Sequence, residues 1–164
     1  MKKIILLLTV FSLFTVSCDD FLDLKPKTSW SGLNFPTEET HLEGLLYGGY
    51  ERLQSVLSTG FLVYGEMRAD VFKVNAFSVN NDKIVNNKLD YGMSQSSWAG
   101  FYEVIKQANL VLEYTPDLLE NNKTTQAKAN ELMGEAYCLR ALSYFYIVRI
   151  WGDAPLITKP YLTK

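Results

Sequence analysis

The fold is decided by the stretch GEAYCLRALSYFYIVRIWGDAPL, residues 134–156. Its apolar residues recur every three or four positions, which is the period of an amphipathic α-helix. Two faces of this helix are apolar. The first carries Leu132, Ala136, Leu139, Ser143, Ile147 and Ile150, and the second carries Met133, Tyr137, Ala141, Tyr144, Val148 and Trp151. A helix that is apolar over so much of its circumference is expected to be buried on more than one side.

Signals at both ends predict that this helix runs from about residue 125 to residue 151. Gly152 is placed to cap it and Pro155 to stop it. Upstream, residues 94–97 offer serine caps for a second helix that ends before Pro116. Its apolar stripe is Trp98, Phe101, Tyr102, Ile105, Ala108 and Leu112, and we assign Trp98 to the core. The short loop 116–124 predicts that the two helices pack as an antiparallel hairpin.

A first amphipathic helix is predicted from about residue 37 to residue 58, with Thr37 as its N-cap. Its apolar positions, at helical spacing, are Leu42, Leu46, Gly49, Tyr50, Leu53 and Leu57. A glycine inside a helix costs about 0.5–1 kcal/mol relative to alanine, so Gly44, Gly48 and Gly49 suggest a closely packed neighbour. Together the three helices predict an all-α fold.

A bundle of only three helices cannot bury both apolar faces of the third helix. The sequence therefore suggests either that the natural protein continues beyond Lys164 or that a partner supplies the missing cover.

Between residues 59 and 92 the periodicity weakens. A short helix is predicted from Tyr64 to Phe72, followed by a polar run that contains Asn75, Asn80, Asn81, Asn86 and Asn87. A long segment with little regular structure in a compact domain is usually functional or disordered. This segment is the first place to look for a ligand site.

The first eighteen residues predict export and a lipid anchor. Lys2 and Lys3 precede an apolar run over 4–14, which is typical of a secretory signal and too short to span a bilayer. Val16-Ser17-Cys18 resembles a bacterial lipobox, although Thr15 stands where leucine is usual. Cys18 is then the lipid attachment site. The alternative is an ordinary secretory signal with an incidental cysteine, and on either interpretation residues 1–17 are not part of the fold.

Residues 18–36 are predicted to form an acidic tether that precedes the folded body at 37–164. Removing the signal leaves 147 residues with 14 basic and 18 acidic side chains and no basic block. This balance argues against nucleic acid as a partner and against electrostatic binding to anionic lipid. The predicted membrane contact is the lipid itself.

The sequence contains no recognisable catalytic or metal motif. His41 is the only histidine, and with Cys18 acylated Cys138 is the only thiol left, which we predict to be a small buried hydrophobe. Glu131 and Glu135 share a helix face one turn apart, which is more typical of a solvated face than of acid/base catalysis. We predict a protein that is not an enzyme and that has no cofactor and no metal.

Three segments resemble the SusD/RagB family of outer-membrane nutrient-uptake lipoproteins from Bacteroidetes. They are CDDFLDLKP at 18–26, LYGGY at 46–50, and the stretch 134–156, whose small, aromatic and basic residues before Gly-Asp-x-Pro-Leu are the most specific. The resemblance spans nearly the whole mature chain. Members of that family run to several hundred residues, so this chain resembles the N-terminal portion.

The resemblance implies an all-α fold of tetratricopeptide-like antiparallel helix pairs with long irregular loops. It also implies a surface-exposed lipoprotein of the cell outer membrane, which passes oligosaccharides or peptides to a SusC-like TonB-dependent porin. Asp19 and Asp20 resemble the acidic signal that sends such lipoproteins to the surface; the alternative is a plain polar tether.

In the family that this chain resembles, part of the ligand contacts come from the irregular segment after the first helices. The corresponding stretch of this chain therefore supplies the candidate ligand residues. Aromatic rings and amide or guanidinium donors suit sugars, so Arg68, Asn80, Asn81 and Tyr91 are the candidates here, against the alternative that they are solvated loop residues. Two other functions remain open. One is a structural or assembly lipoprotein whose helix pairs dock only to other proteins, and the other is a fragment that binds nothing.

Overall fold

The computed structural model describes residues 35–73 and 79–161 of the chain. The signal, Cys18, Asp19, Asp20 and most of the predicted tether lie outside the described residues. The helices, in chain order, are α1 (Glu39–Tyr64), α2 (Val79–Val85), α3 (Ala99–Glu120) and α4 (Gln126–Trp151), with 3₁₀ turns at Glu66–Arg68 and Ser94–Ser96. The part that the structure describes contains no strand, and the predicted all-α fold is confirmed.

The three long helices share one hydrophobic core, in which α3 packs against both α1 and α4. The α4 face predicted to be buried is in this core: Leu132, Ala136, Leu139, Ser143 and Ile147 are all buried. The stripe of α3 also matches the prediction, since Phe101, Ile105 and Ala108 are fully buried. Burial of this apolar surface, at about 25 cal/mol per Å², is the main force that joins the helices.

Helix α4 begins and ends where the sequence predicts. The side chain of Thr125 accepts a hydrogen bond from the backbone N–H of Lys128 (3.2 Å), which satisfies one of the free donors of the first turn. Gly152 adopts a positive φ of 84° and donates its N–H to the carbonyl of Val148 (3.0 Å). A side chain at that φ would be strained, so glycine is the residue suited to this end.

Helix α3 does not end before Pro116, contrary to the prediction. It continues to Glu120, and the connecting loop is shorter, running from Asn121 to Thr125. Pro116 has no N–H to donate to the carbonyl of Leu112, which removes one helical hydrogen bond. Leu118 is only 4% exposed, and its burial in the core accounts for the extra turn.

Helix α1 differs from the prediction at both ends. Glu38 rather than Thr37 precedes its first turn, and no side chain caps it. It runs on to Tyr64, so the short helix predicted from Tyr64 to Phe72 is replaced by the end of α1 and the 3₁₀ turn that follows. Val63 is buried under the irregular segment, and this contact stabilises the added turns.

The outer face of α4 is not covered by the described residues. Tyr137, Phe145 and Val148 are about half exposed, which agrees with the expectation that the three helices do not fully cover α4. Cys138 is also exposed, which corrects the prediction that it is buried. The periodicity of the sequence identifies the apolar faces of α4 but does not show which of them a neighbouring helix covers. Trp98, assigned to the core, is 37% exposed at the core's edge.

Glu131 and Glu135, the acidic pair of α4, have structural partners. Lys128 donates hydrogen bonds to Glu43 of α1 (2.8 Å) and to Glu131 (3.0 Å), and these bonds raise the pKa of the lysine above its usual range. Glu135 accepts a hydrogen bond from the hydroxyl of Tyr50 (2.9 Å). These contacts cross from α4 to α1 and fix their relative position.

The segment after α4 is extended and is held to the α3–α4 hairpin by side chains that bind its backbone. Tyr144 accepts a hydrogen bond from the N–H of Ile157 (2.6 Å). Asn109, buried in α3, donates to the carbonyl of Ile157 (3.0 Å) and accepts from Arg140 (2.8 Å). Buried polar groups must be paired, and the segment pairs Asn109. The Gly-Asp-x-Pro-Leu pattern therefore turns the chain back along the hairpin.

Candidate ligand-binding groove

A small apolar cluster anchors the irregular segment that follows α1. Val63 of α1, Ile84 of α2 and Met93 are buried together, with Met67 and Leu89 packed around them. Trp151, the last residue of α4, donates its indole N–H to the carbonyl of Ser96 (2.9 Å). These contacts place the described parts of this segment, residues 66–73 and 79–96, beside the C-terminal end of α4.

A groove with two lobes lies between this segment and α4, and the lobes share Arg68 and Ile150. The first, here called the indole lobe, has a volume of about 380 Å³ and is also lined by Asn87, Leu89, Asp90, Tyr91, Gln95, Ser96 and Trp151. The second, here called the guanidinium lobe, has a volume of about 260 Å³ and is also lined by Phe61, Tyr64, Gly65, Glu66, Tyr146 and Arg149. The volume of the indole lobe falls within the range of about 300–1,000 Å³ that is typical of ligand pockets, and that of the guanidinium lobe lies just below this range.

Arg68 is fixed at the junction of the lobes by Asn87. The Nε–H of Arg68 donates to Oδ1 of Asn87 (2.7 Å), and the amide nitrogen of Asn87 donates to the carbonyl of Arg68 (3.4 Å). Asn87 lies two residues after the end of α2 and has a positive φ of 55°, a conformation that asparagine adopts more readily than most residues. Within the described ranges, the two terminal nitrogens of Arg68 have no hydrogen-bond partner, so they are available to a ligand.

The turn that carries Tyr91 is held by Asp90. Its carboxylate accepts from the ammonium of Lys83 (2.7 Å) and from the backbone N–H of Gly92 (3.0 Å). The hydrogen bond from Lys83 is the largest cause of the lowering of the Asp90 pKa, followed by that from Gly92. Tyr91 itself is fully exposed and is one of the residues that line the indole lobe.

The structure brings two of the four sequence-predicted ligand residues together. Arg68 and Tyr91 line the indole lobe, whereas Asn80 and Asn81 are exposed on α2 and line neither lobe. Gln95 and Arg149 also line the lobes without having been predicted from the sequence, Asn87 was predicted only as part of the polar run, and Trp151 only as a helix-packing residue. Asn87 had a usable signal, because asparagine is a common residue at a helix end.

The two lobes combine aromatic rings with amide and guanidinium donors. Burial raises the pKa of Tyr64, so its phenol stays neutral and acts as a wall of the guanidinium lobe. No group of three or more histidine, cysteine, aspartate or glutamate residues in the described part could hold a metal ion. Of the helices in that same part, none combines the length and apolarity needed to cross a bilayer. The arrangement suits a polar ligand with flat apolar faces.

Comparison with known proteins identifies the family. Residues 20–163 match a family model described as SusD-like, starch-binding and associating with the outer membrane. The chain is 36% identical, over 90% of its length, to the SusD-like protein P38 of Formosa agariphila, and 30% identical, over 95%, to a SusD-like protein of Bacteroides ovatus.

The chain spans 28% of the length of each of these two curated relatives. No solved structure matches it significantly. Since the family model covers nearly all residues after the predicted signal, this chain belongs to the SusD-like family.

Proposed function

We propose that the protein is a non-enzymatic, surface-exposed outer-membrane lipoprotein that binds oligosaccharides and delivers them to a SusC-like TonB-dependent transporter. The family description, starch-binding and associating with the outer membrane, supports the class of ligand and the location. The groove supports a site for that ligand within this part of the protein. Peptides are a second class of nutrient that a groove of this polarity accepts.

The observation that carries the proposal is the indole lobe. Tyr91 and Trp151 present aromatic surface there, and Arg68 and Gln95 supply donors beside them. A pyranose has an apolar face of C–H groups and an edge of hydroxyls, so it needs a flat apolar wall and directional polar partners together. Arg68 is already oriented by Asn87, which reduces the entropy lost on binding.

Calorimetry of the purified protein with a panel of neutral and acidic oligosaccharides tests this proposal. Arg68→Gln and Tyr91→Ala should each weaken binding about tenfold, equivalent to about 1.4 kcal/mol. Asn80→Ala and Asn81→Ala are the matched controls, because both residues lie outside the groove, and they should leave the affinity unchanged. Loss of binding in the controls but not in the groove variants would place the site on α2 instead.

A structural or assembly role is the second candidate, and the exposed apolar residues of α4 favour it. Tyr137, Phe145 and Val148 offer a hydrophobic surface that a protein partner could cover. Co-purification of the porin, measured beside the glycan panel, separates the two functions. Retention of the porin without binding of any saccharide or peptide would favour the assembly role.

The location at the cell surface rests, in this proposal, on residues 18–20. An acylated Cys18 would hold the protein on the membrane, and Asp19 and Asp20 would direct it to the outer face. Protease treatment of intact cells should degrade the protein, whereas the Asp19→Ala, Asp20→Ala double variant should be protected. Equal degradation of both forms would show that the acidic pair is only a polar tether.

A further inference from the structure

We propose that the guanidinium lobe binds an anionic group, the carboxylate or sulfate ester of an acidic oligosaccharide, between Arg68 and Arg149. The inference rests on the proposed function, since it names the class of saccharide that the same groove selects. Arg68, in the 3₁₀ turn after α1, and Arg149, in the last turn of α4, both line the lobe. Two elements distant in sequence thus each contribute an arginine to the lining of one cavity.

Neither guanidinium is neutralised by a carboxylate in the described residues. Asp153 lies four positions after Arg149, yet the described part contains no ion pair between them. The guanidinium carbon of Arg149 instead lies 5.1 Å from the centre of the Phe145 ring, a cation–π contact that orients it without cancelling its charge. Among the described residues, Arg68 donates only its Nε–H, to the neutral side-chain amide of Asn87.

One carboxylate, Glu66, also lines the lobe. Two cations against one anion leave a net positive charge, so an anion is favoured over a cation there. Glu66 can accept hydrogen bonds from the hydroxyl groups of a sugar. A ligand with only anionic groups has no such donors. Asp90, in the neighbouring indole lobe, is already paired with Lys83 and does not compete for the arginines.

The geometry of the guanidinium group decides the class of anion. Its planar fork donates two parallel hydrogen bonds to a carboxylate, phosphate or sulfate, and charged pairs of this kind are about twice as strong as neutral ones. The aromatic walls Phe61 and Tyr146 suit the sugar ring that bears the anion. The lobe therefore fits an acidic sugar better than a free inorganic ion or a neutral hexose.

An NMR titration tests the anion site without any assumption about sugar linkage. The probe is sodium sulfate, added at constant ionic strength against sodium chloride, and the readout is the Nε–H resonance of each arginine. The Arg68 and Arg149 resonances should shift together and saturate, whereas that of Arg52, exposed on α1 and outside both lobes, should not. Shifts equal to that of Arg52, or no shift, would overturn the proposal.

Matched saccharides identify the source of the anion. Oligogalacturonides are compared with their methyl esters, and sulfated galactan oligomers with their desulfated forms. At least one acidic form should bind tenfold or more tightly than its neutral counterpart. Arg149→Gln should remove this preference, Arg149→Lys should retain part of it, and Arg52→Gln should leave it unchanged.

The outcomes separate this inference from the proposed function. Binding of neutral and acidic forms with equal affinity would overturn the anion site and leave the saccharide function intact. A saturable sulfate site in a protein that binds no saccharide would support the anion site and contradict the saccharide function.

Discussion

Two adjacent glycines of α1 have opposite surroundings. A Cβ added at Gly49 would lie 3.3 Å from Cδ1 of Leu139 and 3.5 Å from Cβ of Gln107, whereas a Cβ at Gly48 or Gly44 meets no atom within 4 Å. The sequence-based expectation of a close neighbour therefore holds at Gly49 only. It is the point where α1 approaches both α3 and α4.

Substitutions at these glycines should have opposite effects on stability. Gly48→Ala should raise the free energy of unfolding by about 0.5–1 kcal/mol, because alanine loses less backbone entropy in a helix. Gly49→Leu should lower it by about 1–3 kcal/mol, because the core has no room for the side chain. Urea denaturation measures both. If Gly48→Leu and Gly49→Leu stabilised the protein equally, α1 would not pack closely at Gly49.

The carboxyl of Asp90 should titrate below its ordinary value of 3.8. Because the pKa is lowered on folding, the interaction stabilises the turn fully at pH values above 3.8 and is lost as the pH falls through the lower, folded value. Carbon-detected NMR of the Asp90 carboxyl over a pH series measures this pKa. Lys83→Gln should move the pKa upward towards 3.8, since Lys83 is the main cause of the shift. An unchanged pKa in that variant would contradict the assignment.

Two neighbouring leucines, Leu118 and Leu119, test whether α3 continues through its last turn. Leu118 is buried in the core, whereas Leu119 is only half-buried. Leu118→Ala should destabilise the protein by about 2–5 kcal/mol through the cavity that it leaves, and Leu119→Ala should cost clearly less. Thermal or urea unfolding compares them. Equal losses would mean that the helix does not continue past Pro116 in this register.

The elements that the sequence predicted well are those with local signals at their ends. Thr125 and Gly152 bound α4 because capping depends on the residue itself. Pro116 misled the prediction because its effect is local, whereas the burial of Leu118 depends on packing against other helices. The same reason explains Cys138, since periodicity identifies apolar faces of a helix but not the face that a neighbour covers.

The candidate groove was only partly predictable for a related reason. Arg68 and Tyr91 lie in the segment whose weak periodicity marked it for function, and the structure places both in one lobe. Arg149 and Trp151 come from the end of α4, 58 and 60 residues after Tyr91, and Trp151 meets the segment through its hydrogen bond to Ser96. Long-range packing of that kind leaves no pattern in a single sequence.

Attachment of the protein to the membrane should depend on Cys18, one of its two cysteines. The described helices include none able to cross a bilayer, and acyl chains contribute about 0.8 kcal/mol per buried CH₂, so two or three chains on Cys18 would anchor the protein durably. Cys138 is the internal control, because it is an exposed cysteine with the same thiol group.

Metabolic labelling with palmitate, followed by membrane fractionation, distinguishes the two thiols. Cys18→Ser should lose the label and move the protein from the membrane to the soluble fraction, whereas Cys138→Ser should retain the label and the membrane location. The reason is that acylation requires the lipobox before Cys18, which Cys138 in the middle of α4 lacks. A labelled Cys18→Ser protein, or an unlabelled wild type, would contradict the lipoprotein proposal and leave the outer-membrane association of the family to be explained by a protein partner.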